Sequence, residues 1–272
     1  MKALPPRLRV LFTVGTVIVI IGGITLWYYF RTRYSGSEPT FSDIFYTNES
    51  DPRRSLDIFL PLEETQPAPV VVLLHGGRGN KTDFRYTADQ LTPHGFAVVL
   101  PSYRIDPMTY SDAFCALAWV HAHAEQYGLN MNRVYVIGWS SGGGIAAEMA
   151  LVDNPNDLLE DCPWEAKTPW LQGAVLLAAG SDRWEESGWK TDLQPVTWID
   201  RNEPPILLIH GEQDDLIPAE DSSQLASILE SSGNDVQLLL LPEADHFFSV
   251  AGREGYDEML QAVMDFLVTS TP

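Results

Sequence analysis

Gly138-Trp139-Ser140-Ser141-Gly142-Gly143 is the stretch whose reading decides the fold. It follows a β-branched apolar run, Arg133-Val134-Tyr135-Val136-Ile137, and precedes a helix-forming one, Ile145-Ala146-Ala147-Glu148-Met149-Ala150-Leu151. A G-x-S-x-G pattern in that setting reads as strand, sharp turn and helix, with Ser140 held above the end of a sheet. Glycine at 138 and 142 suits the point where strand and helix come closest, because a side chain there would collide. Ser140 must in turn accept a strained backbone to expose its Oγ. Ser141 is the rival hydroxyl, but Ser140 alone stands at the centre of the turn.

Outward from this turn, apolar runs alternate with helical patterns. Strands are predicted at 41–47, 55–60, 69–75, 96–100, 133–138, 172–178, 205–210 and 236–241, and helices at 82–92, 110–126, 142–153, 219–231 and 255–268. The middle strands, Val70-Val71-Val72-Leu73-Leu74 and Ile206-Leu207-Leu208-Ile209 among them, are apolar at every position. That suits strands covered on both faces by helices. The opening two, separated by Asn48-Glu49-Ser50-Asp51-Pro52, read as an antiparallel hairpin at the sheet's edge. The expected fold is a three-layer α/β domain over 41–272 with a mostly parallel, eight-stranded sheet and its functional groups at the carboxyl ends of strands.

Three further segments close predicted strands: His75-Gly76-Gly77, His210-Gly211-Glu212-Gln213-Asp214-Asp215-Leu216-Ile217-Pro218, and Ala244-Asp245-His246-Phe247-Phe248. A serine hydroxyl is a weak nucleophile at neutral pH and needs an imidazole to take its proton; the imidazole needs a carboxylate to fix its tautomer. Ser140, Asp214 and His246 supply these groups in the chain order Ser…Asp…His. Asp215, and Asp182 after the 172–178 strand, are the competing acids.

In these motifs the chain resembles the α/β-hydrolase superfamily, and within it the small-cap esterase/lipase group with an H-G-G oxyanion segment. The resemblance covers about residue 41 to 270. It implies a Ser140–His246–Asp214 triad and a tetrahedral oxyanion held by the backbone N–H groups of Ser141, Gly77 and Arg78. Arg78 stands where the family more often has glycine or a bulky apolar residue; its backbone N–H does not depend on the side chain, which is long enough to extend into the site. His75 and His210 belong to their motifs and are expected to hold loop backbones.

Composition narrows the partners. The net charge is −20, and residues 1–34 hold Lys2, Arg7, Arg9, Arg31 and Arg33 with no acid, which leaves 12 basic against 37 acidic groups in the remainder. So acidic a surface repels nucleic acid. No G-x-G-x-x-G or P-loop occurs, and His94, His121 and His123 lack metal-ligand spacing, so neither cofactor nor metal is implied. Residues 1–9 are short and basic. Val10 to Phe30 is an uncharged run of 21 residues, which as a helix spans roughly 30 Å, enough for a bilayer core. Trp27, Tyr28 and Tyr29 sit at its far end, where aromatic rings favour the interface. A run of this length reads as an uncleaved signal anchor rather than a signal peptide. The flanking charges favour a cytoplasmic amino terminus, which puts the domain on the non-cytoplasmic side of the membrane. Residues 31–40 form a polar linker. Cys115 and Cys162 are then either one disulfide or two buried thiols.

A short cap is expected at about 180–204, where Trp184, Trp189 and Trp198 either line the cleft or pack the cap itself. A short cap and an acidic surface favour small neutral or cationic esters over long-chain triglycerides. The leading reading is a membrane-anchored serine hydrolase of small carboxylic esters. A serine peptidase of the prolyl oligopeptidase type shares the elbow and acid motifs, but no segment here fits that family's propeller domain. An acyltransferase uses the same acyl-enzyme, and a catalytically silent binding protein of this fold usually lacks a triad member. Nothing in the sequence signals an oligomeric state.

Overall fold

The computed structural model describes residues 36–62, 67–104, 109–159, 161–167, 171–179 and 198–270. The expected anchor at 10–30, most of the linker, Asp182 and most of the cap lie outside the described residues. Among the described residues no helix is long and apolar enough to cross a membrane.

Eight strands form one sheet in the order β1-β2-β4-β3-β5-β6-β7-β8. They are β1 (Phe41–Phe45), β2 (Ser55–Phe59), β3 (Ala68–Leu74), β4 (Ala97–Pro101), β5 (Leu129–Trp139), β6 (Gly173–Leu177), β7 (Ile206–Gly211) and β8 (Val236–Leu241). β2 runs antiparallel to both β1 and β4, and every other pairing is parallel. Among the described residues five α-helices accompany the sheet: α1 (Arg85–Leu91), α2 (Thr109–Tyr127), α3 (Ser141–Leu151), α4 (Ala219–Ser231) and α5 (Tyr256–Thr269).

The two-residue period of the strands divides the core in two. Val70, Val72, Leu74, Val136, Leu176 and Leu208 pack with Leu117 of α2, Ile145 and Met149 of α3, and Leu225 and Leu229 of α4. Val71, Leu73, Ile137, Leu177 and Ile209 point the other way, against Leu91 of α1 and Met259, Val263 and Phe266 of α5. Burial on both faces is why these strands are apolar at successive positions.

Two elements differ from expectation. The helix expected at 82–92 begins as a 3₁₀ turn, Lys81–Phe84, before α1. Asn80 caps that turn through Thr82 N–H, and Asp83 reaches back to the Asn80 N–H, a reciprocal cap that sets the start of the segment. β5 starts four residues early. Its register against β3 jumps from Pro69↔Asn130 to Val70↔Val134, and the Asn130 side chain accepts the Asn132 N–H within the bulge.

Cys115 of α2 and Cys162 are joined in a disulfide, with Cα atoms 5.5 Å apart across 47 residues of sequence. Of the two readings left open, the paired one holds. β3 and β5 are adjacent, while the connections from β3 to β4 and from β4 to β5 run in opposite directions along the sheet. That reversal opens a crevice at their carboxyl ends, and the Gly76–Gly77 and Ser140 segments emerge there.

Candidate active site

Ser140 has φ 56° and ψ −120°, a conformation sparsely used by residues with a side chain. Local contacts hold it. Its N–H donates to Leu177 O (2.8 Å), and its carbonyl accepts from Gly144 N–H (3.1 Å). The flanking glycines act as expected. A Cβ at Gly138 would collide with the Gly142 carbonyl, and one at Gly142 would lie 2.5 Å from the His75 carbonyl oxygen. Ser141 is the first residue of α3, so helix geometry leaves its N–H without an intrahelical partner.

His246 follows β8 and is almost fully buried. Its Nε2 lies 3.0 Å from Ser140 Oγ and its Nδ1 2.6 Å from Asp214 Oδ2. A carboxylate beside Nδ1 keeps the proton on that nitrogen and leaves Nε2 as the acceptor facing the serine hydroxyl. The imidazole is held from behind, because Trp139 Nε1–H donates to the His246 carbonyl (2.9 Å). Trp139 therefore both packs at the elbow and anchors the histidine loop.

Asp214 has a fully buried side chain. Desolvation pushes its pKa up. Hydrogen bonds from His210, His246 and the N–H groups of Ile217 and Leu216 outweigh that and hold it well below the usual carboxylate range. Oδ1 accepts the Leu216 and Ile217 N–H groups at 2.9 Å each, and Oδ2 takes both imidazoles. His210 Nε2 faces two acceptors, Asp214 Oδ2 at 3.2 Å and Ile217 O at 3.0 Å, so it carries the proton. Its Nδ1 then accepts from Ser222 Oγ (2.7 Å). His210 thus orients the acid directly, beyond the loop-holding role expected of it. Asp215 is solvent-exposed.

The Gly76–Gly79 segment forms a turn closed by Gly79 N–H donating to Gly76 O (3.1 Å). Gly77 and Arg78 are its central residues, and Arg78 has φ 63°. The turn lies against the elbow: a Cβ on Gly76 would be 3.4 Å from Ser140 Cβ, and one on Gly77 3.5 Å from Ser141 Oγ. His75 supports it. Its buried ring stacks on Tyr103 with centroids 3.9 Å apart, and Nδ1 bonds Gly76 O at 2.8 Å. Burial lowers the His75 pKa to about 4, only partly opposed by the Gly76 bond, so the ring is neutral at pH 7.

Behind the turn, Lys81 Nζ reaches Asp57 Oδ1 (2.7 Å), Arg85 reaches Asp57 Oδ2 (3.0 Å), and Lys81 N–H donates to Ser102 Oγ (3.0 Å). Desolvation raises the pKa of the fully buried Asp57, but these cations and the Asp43 N–H bring it below the ordinary value. Sequence reading missed this cluster, whose members lie 24 and 28 residues apart. The signal available was a lone charge, Asp57, inside an otherwise uncharged strand.

Other singled-out residues take structural places. His94 is exposed, and His123 stacks on Trp119 and bonds its carbonyl. Trp198 packs against the core on the α2 side. Trp184 and Trp189 lie outside the described residues.

The arrangement compares closely with known proteins. The BD-FAE family matches residues 56–170 and the prolyl oligopeptidase family residues 171–271. Esterase LipC of Mycobacterium tuberculosis is 27% identical over 74% of this chain and 58% of its own length. The probable isoprenylcysteine alpha-carbonyl methylesterase ICMEL1 of Arabidopsis thaliana is 24% identical over 88% of this chain and 57% of its own. The chain thus spans little more than half the length of these relatives. Among solved structures, esterase 2 of Thermogutta terrifontis phosphoramylated by tabun superposes with a TM-score of 0.74 at 23% identity, covering 86% of this chain and 97% of that one. A truncated carbohydrate esterase from gut microbiota gives 0.73 at 19%, covering 87% and 99%. With the two matched families abutting across a single sheet and the serine elbow at its switch point, the chain has the α/β-hydrolase fold and resembles esterases, with a carboxyl-terminal part similar to prolyl oligopeptidases.

Proposed function

We propose that this chain hydrolyses small carboxylic esters through an acyl-enzyme on Ser140. The observation that carries the reading is the run of contacts from Ser140 Oγ through His246 to Asp214, at 3.0 and 2.6 Å. As Ser140 Oγ attacks the ester carbonyl carbon, His246 Nε2 takes its proton. The tetrahedral oxyanion is met by the N–H groups of Ser141, Gly77 and Arg78, donors fixed before reaction and worth about 100- to 1,000-fold each in rate. The protonated His246 delivers its proton to the departing alkoxide, and the alcohol leaves. Water, activated by the same nitrogen, then attacks the acyl carbon and releases the acid. Asp214 stays ionised throughout and stabilises the imidazolium.

The domain works from a membrane anchor at 10–30 through the linker 31–40, on the non-cytoplasmic side. The length and apolarity of 10–30 support the anchor, and the Cys115–Cys162 disulfide supports an oxidising compartment. The segment at about 180–204 serves as a short cap.

A second reading, peptide or acylamino-acid cleavage, is favoured by the prolyl oligopeptidase match over 171–271 and by similarity to the acylamino-acid-releasing enzyme of Rattus norvegicus, 24% identical over 75% of this chain and 32% of that protein. A panel of nitrophenyl esters and amino-acid arylamides separates the two, with Ser140→Ala as control. Ester turnover lost in the variant, with arylamides untouched by either protein, supports the proposal. Faster arylamide than ester turnover would replace it with the second reading.

A further inference from the structure

We propose that Arg78 makes the cleft selective for esters that carry a carboxylate on their acyl or alcohol part. This rests on the esterase reading above and names the substrate class of that same site. Gly77 has no positive φ while Arg78 has φ 63°, the type II pattern in which glycine is the unstrained choice for the third residue. An arginine is strained there, in a turn packed against Ser140 and Ser141. Strain retained beside a reacting group points to use of the side chain.

Arg78 also has no counter-charge among the described residues. Its side chain is exposed, and among the described residues no carboxylate pairs with it. Arg53, Arg54, Lys81, Arg85, Arg104 and Arg253 all form ion pairs. In a chain of net charge −20, an exposed cation in the turn packed on the serine elbow is placed to take its counter-charge from what binds there. The amino terminus of the 11-residue α3 begins at Ser141 and adds potential of the same sign. A neutral ester offers neither group a partner before the oxyanion forms, whereas a carboxylate matches the guanidinium fork with two parallel hydrogen bonds. The acidic surface does not oppose this at close range, because salt at physiological strength screens charges beyond about 8 Å. A contact inside the cleft outweighs the net charge, and the expectation of neutral or cationic esters gives way locally.

The test measures kcat/KM of the full chain and of Arg78→Lys, Arg78→Gln and Arg78→Glu. The substrates are 4-nitrophenyl butyrate, the mono-4-nitrophenyl ester of glutaric acid, and 4-butyryloxybenzoate. Expected is an anionic-to-neutral ratio that falls about 10-fold in Arg78→Gln, the scale of a charged hydrogen bond, falls further in Arg78→Glu, and is largely kept in Arg78→Lys. The arm that falls identifies which part of the ester bears the carboxylate. Ratios unchanged in both arms, or all three substrates declining by one common factor, would overturn the inference and leave Arg78 a role in turn geometry. A folded wild type that cleaves none of the three would instead sink the esterase reading, and this one with it.

Discussion

Glu148 sits two turns into α3, on the helix that begins at the serine elbow, and the prediction it carries concerns pH. Its side chain is fully buried and, among the described residues, neither carboxyl oxygen has a hydrogen-bond partner. Burial alone pushes its pKa well above the usual value, so between the ordinary glutamate range and the folded pKa the native state holds a proton that the unfolded chain has lost. The sign follows. The native state binds one more proton, so stability is greatest below the ordinary glutamate range and declines as pH rises toward the folded pKa, by up to about 1.4 kcal/mol per pH unit. An unpaired neutral carboxyl carries a further burial cost of about 1–3 kcal/mol. Glu148→Leu removes both penalties: relief of the unpaired carboxyl alone is expected to raise Tm by about 2–12 °C, at roughly 2–4 °C per kcal/mol for a domain of this size, and relief of the ionisation penalty adds to this as pH rises above the ordinary glutamate range. Glu148→Gln keeps the polar burden but cannot ionise, so it flattens the pH dependence alone. The assay is thermal unfolding of the three proteins from pH 5 to 9. A wild-type slope no steeper than that of Glu148→Gln, together with a destabilised Glu148→Leu, would refute the reasoning and require a partner for the carboxylate.

Other substitutions test the remaining parts. Replacing Cys115 and Cys162 with alanine opens a 47-residue loop and should lower unfolding free energy by about 4 kcal/mol on the chain-entropy scale; denaturant midpoints with and without reductant measure it. Asp214→Asn removes the carboxylate that fixes the His246 tautomer and should reduce kcat about 10,000-fold, with the folded signal in near-ultraviolet circular dichroism retained. Gly142→Ala places a Cβ 2.5 Å from the His75 carbonyl, forcing the elbow away from the Gly76–Gly79 turn. Initial rates should drop about 100-fold, the usual scale for an ångström of misplacement.

What the sequence made legible was local or periodic. The elbow is written in six consecutive residues, and the central strands announce themselves because both of their faces are buried, as the division of Val70 and Val71 between opposite cores illustrates. That Asp214 and His246 meet at Ser140 was legible through their position after strands. Long-range pairings were not. Nothing near Trp139 in the chain indicates that its indole reaches the His246 carbonyl 107 residues away, and neither cysteine advertises the other. His210 was within reach, since it stands four residues before Asp214 in one motif, but only the folded turn brings its Nε2 back onto the carboxylate. The early start of β5 was hidden because asparagine is depleted in strands, and Asn130 and Asn132 lie where the pairing register shifts in a bulge.

The central claim is that Ser140 is the group acylated. Reaction of the full chain with a fluorophosphonate probe, followed by intact mass and peptide mapping, addresses it directly. The account predicts a single adduct on Ser140 and none on a folded Ser140→Ala variant. An unlabelled wild type that is demonstrably folded, or an adduct that persists in Ser140→Ala, would contradict it.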